Sequence, residues 1–254
     1  MHIVAIHSLP DKKEALSGAL SAALECTAYE ALSRLRVPGN GPLVVGVSAA
    51  IEPAEELTKK LRAKGFDALL LKENEIEFGS ARFVVRKFRF GEEALIAGSR
   101  SEESLAIDYG SIALFIRGTS IKEATEKESV KEKKFDAGMA LITGGLKMTK
   151  TTEKILESAT QTRESFLLLY AGEQPALLFR EGGLAYDSLG DALQQTRQAN
   201  FSHLIEELRR RCPEALYDDR LLTRAAQIQL LGPLLSPEKH LDIALSLLAK
   251  LLRQ

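Results

Sequence analysis

Residues 139–154, MALITGGLKMTKTTEK, carry the residue types that hold phosphate. A short apolar run leads into Gly144 and Gly145, then Lys147, Thr149 and Lys150 precede a helix expected to begin near Thr151. Backbone amides freed by glycine, together with a helix N-terminus, bind phosphate oxygens, and a lysine adds charge. The spacing departs from the GxxxxGK[ST] loop, because Leu146 separates Gly145 from Lys147. A plain loop followed by an ordinary capped helix competes with that reading. Gly144, Gly145, Lys147 and Thr149 thus form one candidate site, for a phosphorylated small molecule.

A second candidate is the basic run Arg86-Lys87-Phe88-Arg89, with Arg82 and Arg100 nearby. Such a run holds anions through charge-assisted hydrogen bonds, so Arg86, Lys87 and Arg89 are candidate ligands for an acidic head group or peptide. Glu92, Glu93, Glu102 and Glu103 follow closely. A solvated strand edge that resists aggregation is the competing explanation.

Other constellations fail on spacing. His2, His7, His203 and His240 form no HxxxH, HExxH or Cys-His cluster, so no metal is implied. Gly46-Val47-Ser48 lacks the second glycine of a nucleophile elbow. Asp218-Asp219, with Asp187 and Asp191 upstream, reads as the acidic start of a helix rather than as paired carboxylates. No catalytic motif is found and no cofactor is called for.

The composition excludes further classes. The 254 residues are 45% hydrophobic and 27% charged, which suits a globular chain. The formal charge of −1 lacks the excess of positive charge usual in nucleic-acid proteins. No apolar stretch approaches the roughly 18 to 20 residues of a membrane span, and the amino terminus does not read as a signal peptide. Cys26 and Cys212 match no disulfide or CxxC pattern and read as small buried hydrophobes. A cytoplasmic location is expected.

The elements that would position these residues begin with an apolar strand at residues 2–7. Pro10 and Asp11 open a helix with its stripe on Ala15 to Leu24, and Thr27 and Glu30 form a capping box for a second helix, stopped at Val37-Pro38-Gly39. LVVGV at 43–47 reads as a buried strand. Pro53 suits the first turn of a third helix ended by Gly65, and a strand from Phe66 to Leu71 follows. The order is β-α-α-β-α-β, closing a core before the polar boundary Glu73-Asn74-Glu75. This layout, through TAYEA, GPLVVGV and PAEELTKKLRAKGFDALLL, resembles the C-terminal domain of the bacterial ribosomal stalk protein. That family recruits translation factors at a glycine-containing helical corner with lysines nearby. The corner here reads ECTAYEA and lacks both, so the resemblance implies the fold and no binding residues.

Short β-type runs follow at ARFVVRKFRF, EALIAGS, LAIDY and SIALFIRG. Inside the first, Phe83 and Val85 share one parity and Phe88 and Phe90 the other, which requires a bulge or coiling near Arg86-Lys87. Residues 120–136 are densely charged and read as an exposed linker or frayed helix. SFLLLYAG, PALLFR and GLAYDSL supply three further strands. Asn200 is expected to cap a helix through 201–211, and two more helices follow at 221–231 and from Ser236-Pro237. Four strands, an insertion, three strands and a helix resemble a pleckstrin-homology-like domain, and that resemblance implies a binding module.

The expected architecture is α+β: a stalk-like domain at 1–75, an antiparallel β domain at 76–212 with a charged insertion at 120–164 and a closing helix, and a helical hairpin at 213–254. The expected function is a non-catalytic cytosolic binding or regulatory module acting through contacts with a protein partner. The alternative is an enzyme or sensor of a phosphorylated small molecule at Gly144–Thr149. Leu241, Ala244, Leu245, Leu248 and Leu252 form an apolar seam that must be covered. Packing within a monomer is expected, with a homodimer through 237–253 as the alternative.

Overall fold

The computed structural model describes residues 1–9, 14–36, 41–135 and 149–253, with side chains left undescribed at Ala15 and over 121–162. Pro10, Asp11, the Val37–Gly39 stop and Gly144, Gly145 and Lys147 lie outside the described residues. The protein is α+β. Its chain divides into two compact units, Met1–Ser120 with Glu164–Gln254, and Ile121–Arg163.

The first unit opens with β1 (His2–His7), α1 (Glu14–Leu24), α2 (Ala28–Leu35), β2 (Leu43–Ser48), α3 (Ile51–Ala63) and β3 (Asp67–Leu71). The capping box forms: Glu30 N–H donates to Thr27 Oγ1 at 3.2 Å and Thr27 N–H to Glu30 Oε2 at 2.9 Å. The strands pair antiparallel in the order β2-β1-β3. Because side chains alternate across a strand, Val4 and Ile6 face α1–α3 while Ile3 and Ala5 face the opposite way.

That opposite face is not in water. Ile3, Ala5, Val44, Leu69 and Leu71 share a core with Leu114, Ile116, Phe166 and the helix α6 (Pro237–Leu252). The expected boundary at residue 75 is therefore no boundary of packing: the first sheet is buried on both sides by other parts of one unit. The seam residues Ala244, Leu245 and Leu248 are buried there, and Leu241 and Leu252 pack half-buried against the same core.

Beyond 3-10 turns at Glu73–Glu75 and Gly79–Ala81 come β4 (Phe83–Val85), β5 (Lys87–Phe90), β6 (Ala94–Gly98), β7 (Ser104–Asp108), β8 (Ile112–Phe135), β9 (Thr149–Ala171) and β10 (Leu177–Arg180). The parity break is real. At Arg86 the chain leaves one sheet for another, so Val85 and Phe88 both turn inward. β5-β6-β7 form an antiparallel meander, while β4 closes a five-stranded sheet of order β11-β8-β9-β10-β4, with β11 at Leu216–Leu221. That sheet is mixed rather than antiparallel, for β10 pairs parallel with β4 and β11 parallel with β8.

Several expectations give way here. GLAYDSL is not a strand: 3-10 turns occupy Glu181–Gly183 and Asp187–Ala192, while Leu184, Tyr186 and Leu189 still reach the core. The backbone of Ala185 donates to Arg86 O at 2.8 Å instead of joining a ladder. α4 (Arg197–Arg211) is capped by Thr196, whose Oγ1 accepts from Ala199 N–H at 3.1 Å, and Asn200 is buried against Gln194. The 213–254 segment is not a helical hairpin alone. Leu216–Leu221 is strand β11, because its polar LYDDRL run finds a backbone partner in β8, and only then come α5 (Arg224–Leu231) and α6.

The second unit, Ile121–Arg163, holds the continuation of β8 and the opening of β9. The linker or frayed helix expected at 120–136 is strand as far as Phe135. The helix expected near Thr151 is likewise strand from Thr149. A ladder is closed by backbone groups, so it needs no apolar alternation, and the β-branched threonines of TKTTEKILESATQT suit extended backbone.

Candidate functional site

Local chemistry turns the basic run into two surfaces. On β5, Phe88 packs inward against Tyr186 in an edge-to-face contact, which leaves Lys87 and Arg89 on the exposed face. Arg86 stands at the crossing between sheets. Its N–H donates to Gly98 O at 2.7 Å and its carbonyl accepts from Ala185. With the backbone thus held, its guanidinium reaches the 181–183 turn and Nη1 donates to Gly183 O at 3.2 Å.

Around this crossing lies an open cleft of about 840 Å³. Arg86, Lys87, Arg100 and Arg197 supply its positive charge, Glu102 and Glu103 its negative charge, and Ser99 and Ser104 hydroxyls. Arg197, in the first turn of α4, donates from Nη1 to Gly182 O at 2.8 Å. Two guanidinium groups are therefore anchored on adjacent carbonyls of one turn. Gly182 N–H donates in addition to Glu164 Oε1 at 3.2 Å. Among the described residues Lys87 and Arg100 make no ion pair, so their charge is open to a ligand. Arg100 belongs to the β6–β7 hairpin tip, which is stiffened by Ser99 N–H donating to Glu103 O at 2.8 Å and Ser101 Oγ to Glu103 Oε2 at 3.1 Å.

The turn's glycines let the cations come close. A Cβ at Gly183 would stand 2.6 Å from Arg86 Nη1, and one at Gly182 would stand 2.8 Å from Glu164 Oε1. This role was hidden in the sequence, where the pair signals a tight turn and nothing more. Arg197 was missed as well, since one arginine at a helix start carries no motif.

The structure brings Arg86 and Lys87 into the cleft and leaves Arg89 two register pairs beyond Lys87, opposite Ile96. Thr149 opens β9, and its loop partners lie outside the described residues. Asp218 belongs to a strand, not a helix start, and its Oδ2 accepts from Arg220 Nε at 2.7 Å. Among the described residues no three His, Cys, Asp or Glu side chains converge as a metal site.

An open, mixed-charge cleft differs from the enclosed apolar pockets that hold drug-sized molecules. Its chemistry suits carboxylate or phosphate oxygens on a ligand whose bulk stays outside. Comparison of the chain with protein-family models, curated proteins and solved structures finds no match.

Proposed function

We propose that the protein is a non-catalytic cytoplasmic binding module that acts through protein contacts, with the Arg86–Lys87 cleft receiving acidic side chains of its partner. The observation that carries this reading is the pairing of two anchored guanidinium groups, Arg86 and Arg197, with two cations that make no ion pair among the described residues, Lys87 and Arg100, around one cleft. Anchored cations lose little freedom when an anion arrives, and free ones contribute attraction and a faster encounter. The free thiols Cys26 and Cys212 support a reducing compartment. No helix among the described residues is long and apolar enough to cross a membrane.

A fluorescein-labelled hexa-aspartate peptide, with a hexa-asparagine control, provides the test. Anisotropy should show salt-sensitive binding of the acidic peptide alone, weakened about tenfold or more by Lys87→Glu with Arg100→Glu, at unchanged melting temperature. Equal affinity in the double variant would overturn the reading. So would a melting shift with a sugar phosphate that survives this variant and disappears in Lys147→Ala, which would assign the ligand to the glycine loop.

A further inference from the structure

Edge strands expose unpaired N–H and C=O groups, and this chain covers most of its own edges. On β3 the carbonyl of Ala68 accepts from Arg62 Nη2 at 2.8 Å and that of Leu70 from Lys250 Nζ at 2.8 Å. Beside β2, Gly232 comes so near the Val44 carbonyl that a Cβ would stand 2.8 Å from it. β4 has only three residues. At the start of β5 the Arg86 carbonyl is taken by Ala185.

β7 lacks such covers over Ser104–Ile107; only at its end does the Asp108 carbonyl accept from Ser111 Oγ at 2.7 Å among the described residues. Its pairing with β6 runs without a register shift from Ala94↔Asp108 to Gly98↔Ser104. The bonds from Ser99 N–H to Glu103 O and from Tyr109 N–H to Glu93 O flank this ladder. They fix Leu95–Ile107 and Ala97–Leu105 as the hydrogen-bonded pairs, so the backbone groups of Ser104 and Ala106 point away from β6. Among the described residues those groups have no hydrogen-bond partner. Ser104, Ala106 and Asp108 are exposed, and SLAID contains no Lys, Arg or Pro to deter pairing.

We propose that β7 is a self-association edge, pairing antiparallel with β7 of a second copy about a two-fold axis through Ala106. This register overlaps all five residues and keeps the outward-bonding positions opposite one another. It sets Ser104 of one protomer against Asp108 of its partner, twice by symmetry, a hydroxyl donor against a carboxylate acceptor. Asp108 Oδ1 already accepts from Gly110 N–H at 2.7 Å, which leaves Oδ2 for the serine. On the core side half-buried Leu105 stands opposite the buried Ile107, Ala106 faces only Ala106, and no like charges oppose. An unrelated extended segment would find the same backbone groups without this reciprocal match. One five-residue strand pair is a small interface, so the dimer is weak and concentration-dependent.

Sedimentation velocity on the full chain from about 1 µM to about 1 mM tests the proposal. The wild-type chain should pass from monomer to dimer across that range. Ala106→Lys and Ala106→Glu each place like charges across the axis and should each weaken dimerisation about tenfold or more, with melting temperatures unchanged at this exposed site. An equimolar mixture of the two variants should restore the dimer. A wild-type chain that stays monomeric throughout, variants that dimerise as the wild type does, or a mixture that stays monomeric would each overturn the proposal.

Discussion

Arg82 and Asp242 are joined across 160 residues of sequence, with Nη1 donating to Oδ1 at 2.6 Å. The arginine side chain is 3% exposed and the aspartate 36%. Nη2 of the same guanidinium donates to Glu77 O at 2.5 Å, and Glu77 N–H donates to Ser246 Oγ at 2.9 Å. Glu77 Oε2 in turn accepts from Tyr170 OH at 2.8 Å. Burial first, and then the Glu77 charge, pushes the Tyr170 phenol well above its ordinary range. The segment leading from the first sheet to β4 is thereby fastened to α6.

Asp242→Ala removes the carboxylate paired with the buried Arg82 guanidinium. Losing one partner of such a pair costs more than the pair contributes, because the remaining charge stays desolvated. Urea denaturation at neutral pH should show a loss of about 2 to 3 kcal/mol, below the fully buried range because water reaches Asp242. Replacing both, Arg82→Met with Asp242→Leu, should recover most of that loss. A single variant within about 0.5 kcal/mol of wild type would show that the link is energetically idle.

How much of this arrangement was legible depends on where each signal resides. The β-α-α-β-α-β order could be read because its cues are local: the Thr27–Glu30 box, the apolar run of β1 and Gly65 after α3. A break near Arg86-Lys87 was also legible, since the parity of Phe83, Val85, Phe88 and Phe90 cannot be met on one flat strand, but it is a change of sheet rather than a bulge or coiling within one strand. What covers α6 could not be read. Its seam demands burial, and amphipathicity does not name the surface. β11 was hidden for a related reason: LYDDRL offers no apolar alternation, and its parallel partner β8 lies far back in the chain. The cleft was half visible, through Arg86 and Lys87, while Arg197 arrives by tertiary folding alone.

Glu207 gives the fold an acid-sensitive contact. Arg210 and then Arg211 hydrogen-bond its carboxylate and hold it down to about 2. Arg211 continues to Gly91 O at 3.0 Å and lies over the rings of Phe90 and Tyr109, tying α4 to the meander. A depressed carboxyl stabilises the folded state above its unfolded value of about 4.3 and loses that contribution as pH falls towards 2. Glu207→Gln should therefore be less stable than wild type at pH 7, with the gap narrowing below about pH 4. A gap of equal size near pH 7 and near pH 2.5 would rule out this carboxylate as its source.

The two thiols should differ in reactivity. Cys212 is 5% exposed, and burial pushes its thiol up to about 11, whereas Cys26 is only half-buried in the turn after α1. The thiolate is the reactive form, so iodoacetamide near pH 8 should label Cys26 first and Cys212 only as the chain opens. Because the raised value favours the neutral thiol, the folded state should lose stability as pH rises from about 8.5 towards 11. Peptide mapping that found both cysteines labelled at equal rates in the native protein would contradict this.

Gly183 separates positioning of the cleft from stability of the fold. A methyl group there would stand 2.6 Å from Arg86 Nη1, the far end of a flexible side chain, while the backbone at Gly183 is not in the left-handed region. Gly183→Ala can thus be accommodated by swinging the guanidinium aside, at a cost below about 1 kcal/mol. Gly182→Ala meets Glu164 Oε1 at 2.8 Å, and Glu164 is almost wholly buried, so this neighbour has less room to yield. The paired expectation is that Gly182→Ala lowers the urea midpoint more than Gly183→Ala does. Gly183→Ala should still weaken hexa-aspartate binding several-fold, because its displaced Arg86 no longer points along the cleft. If Gly183→Ala keeps both stability and affinity, Arg86 does not act in the cleft. If it unfolds the protein, the Arg86–Gly183 contact belongs to the fold rather than to binding.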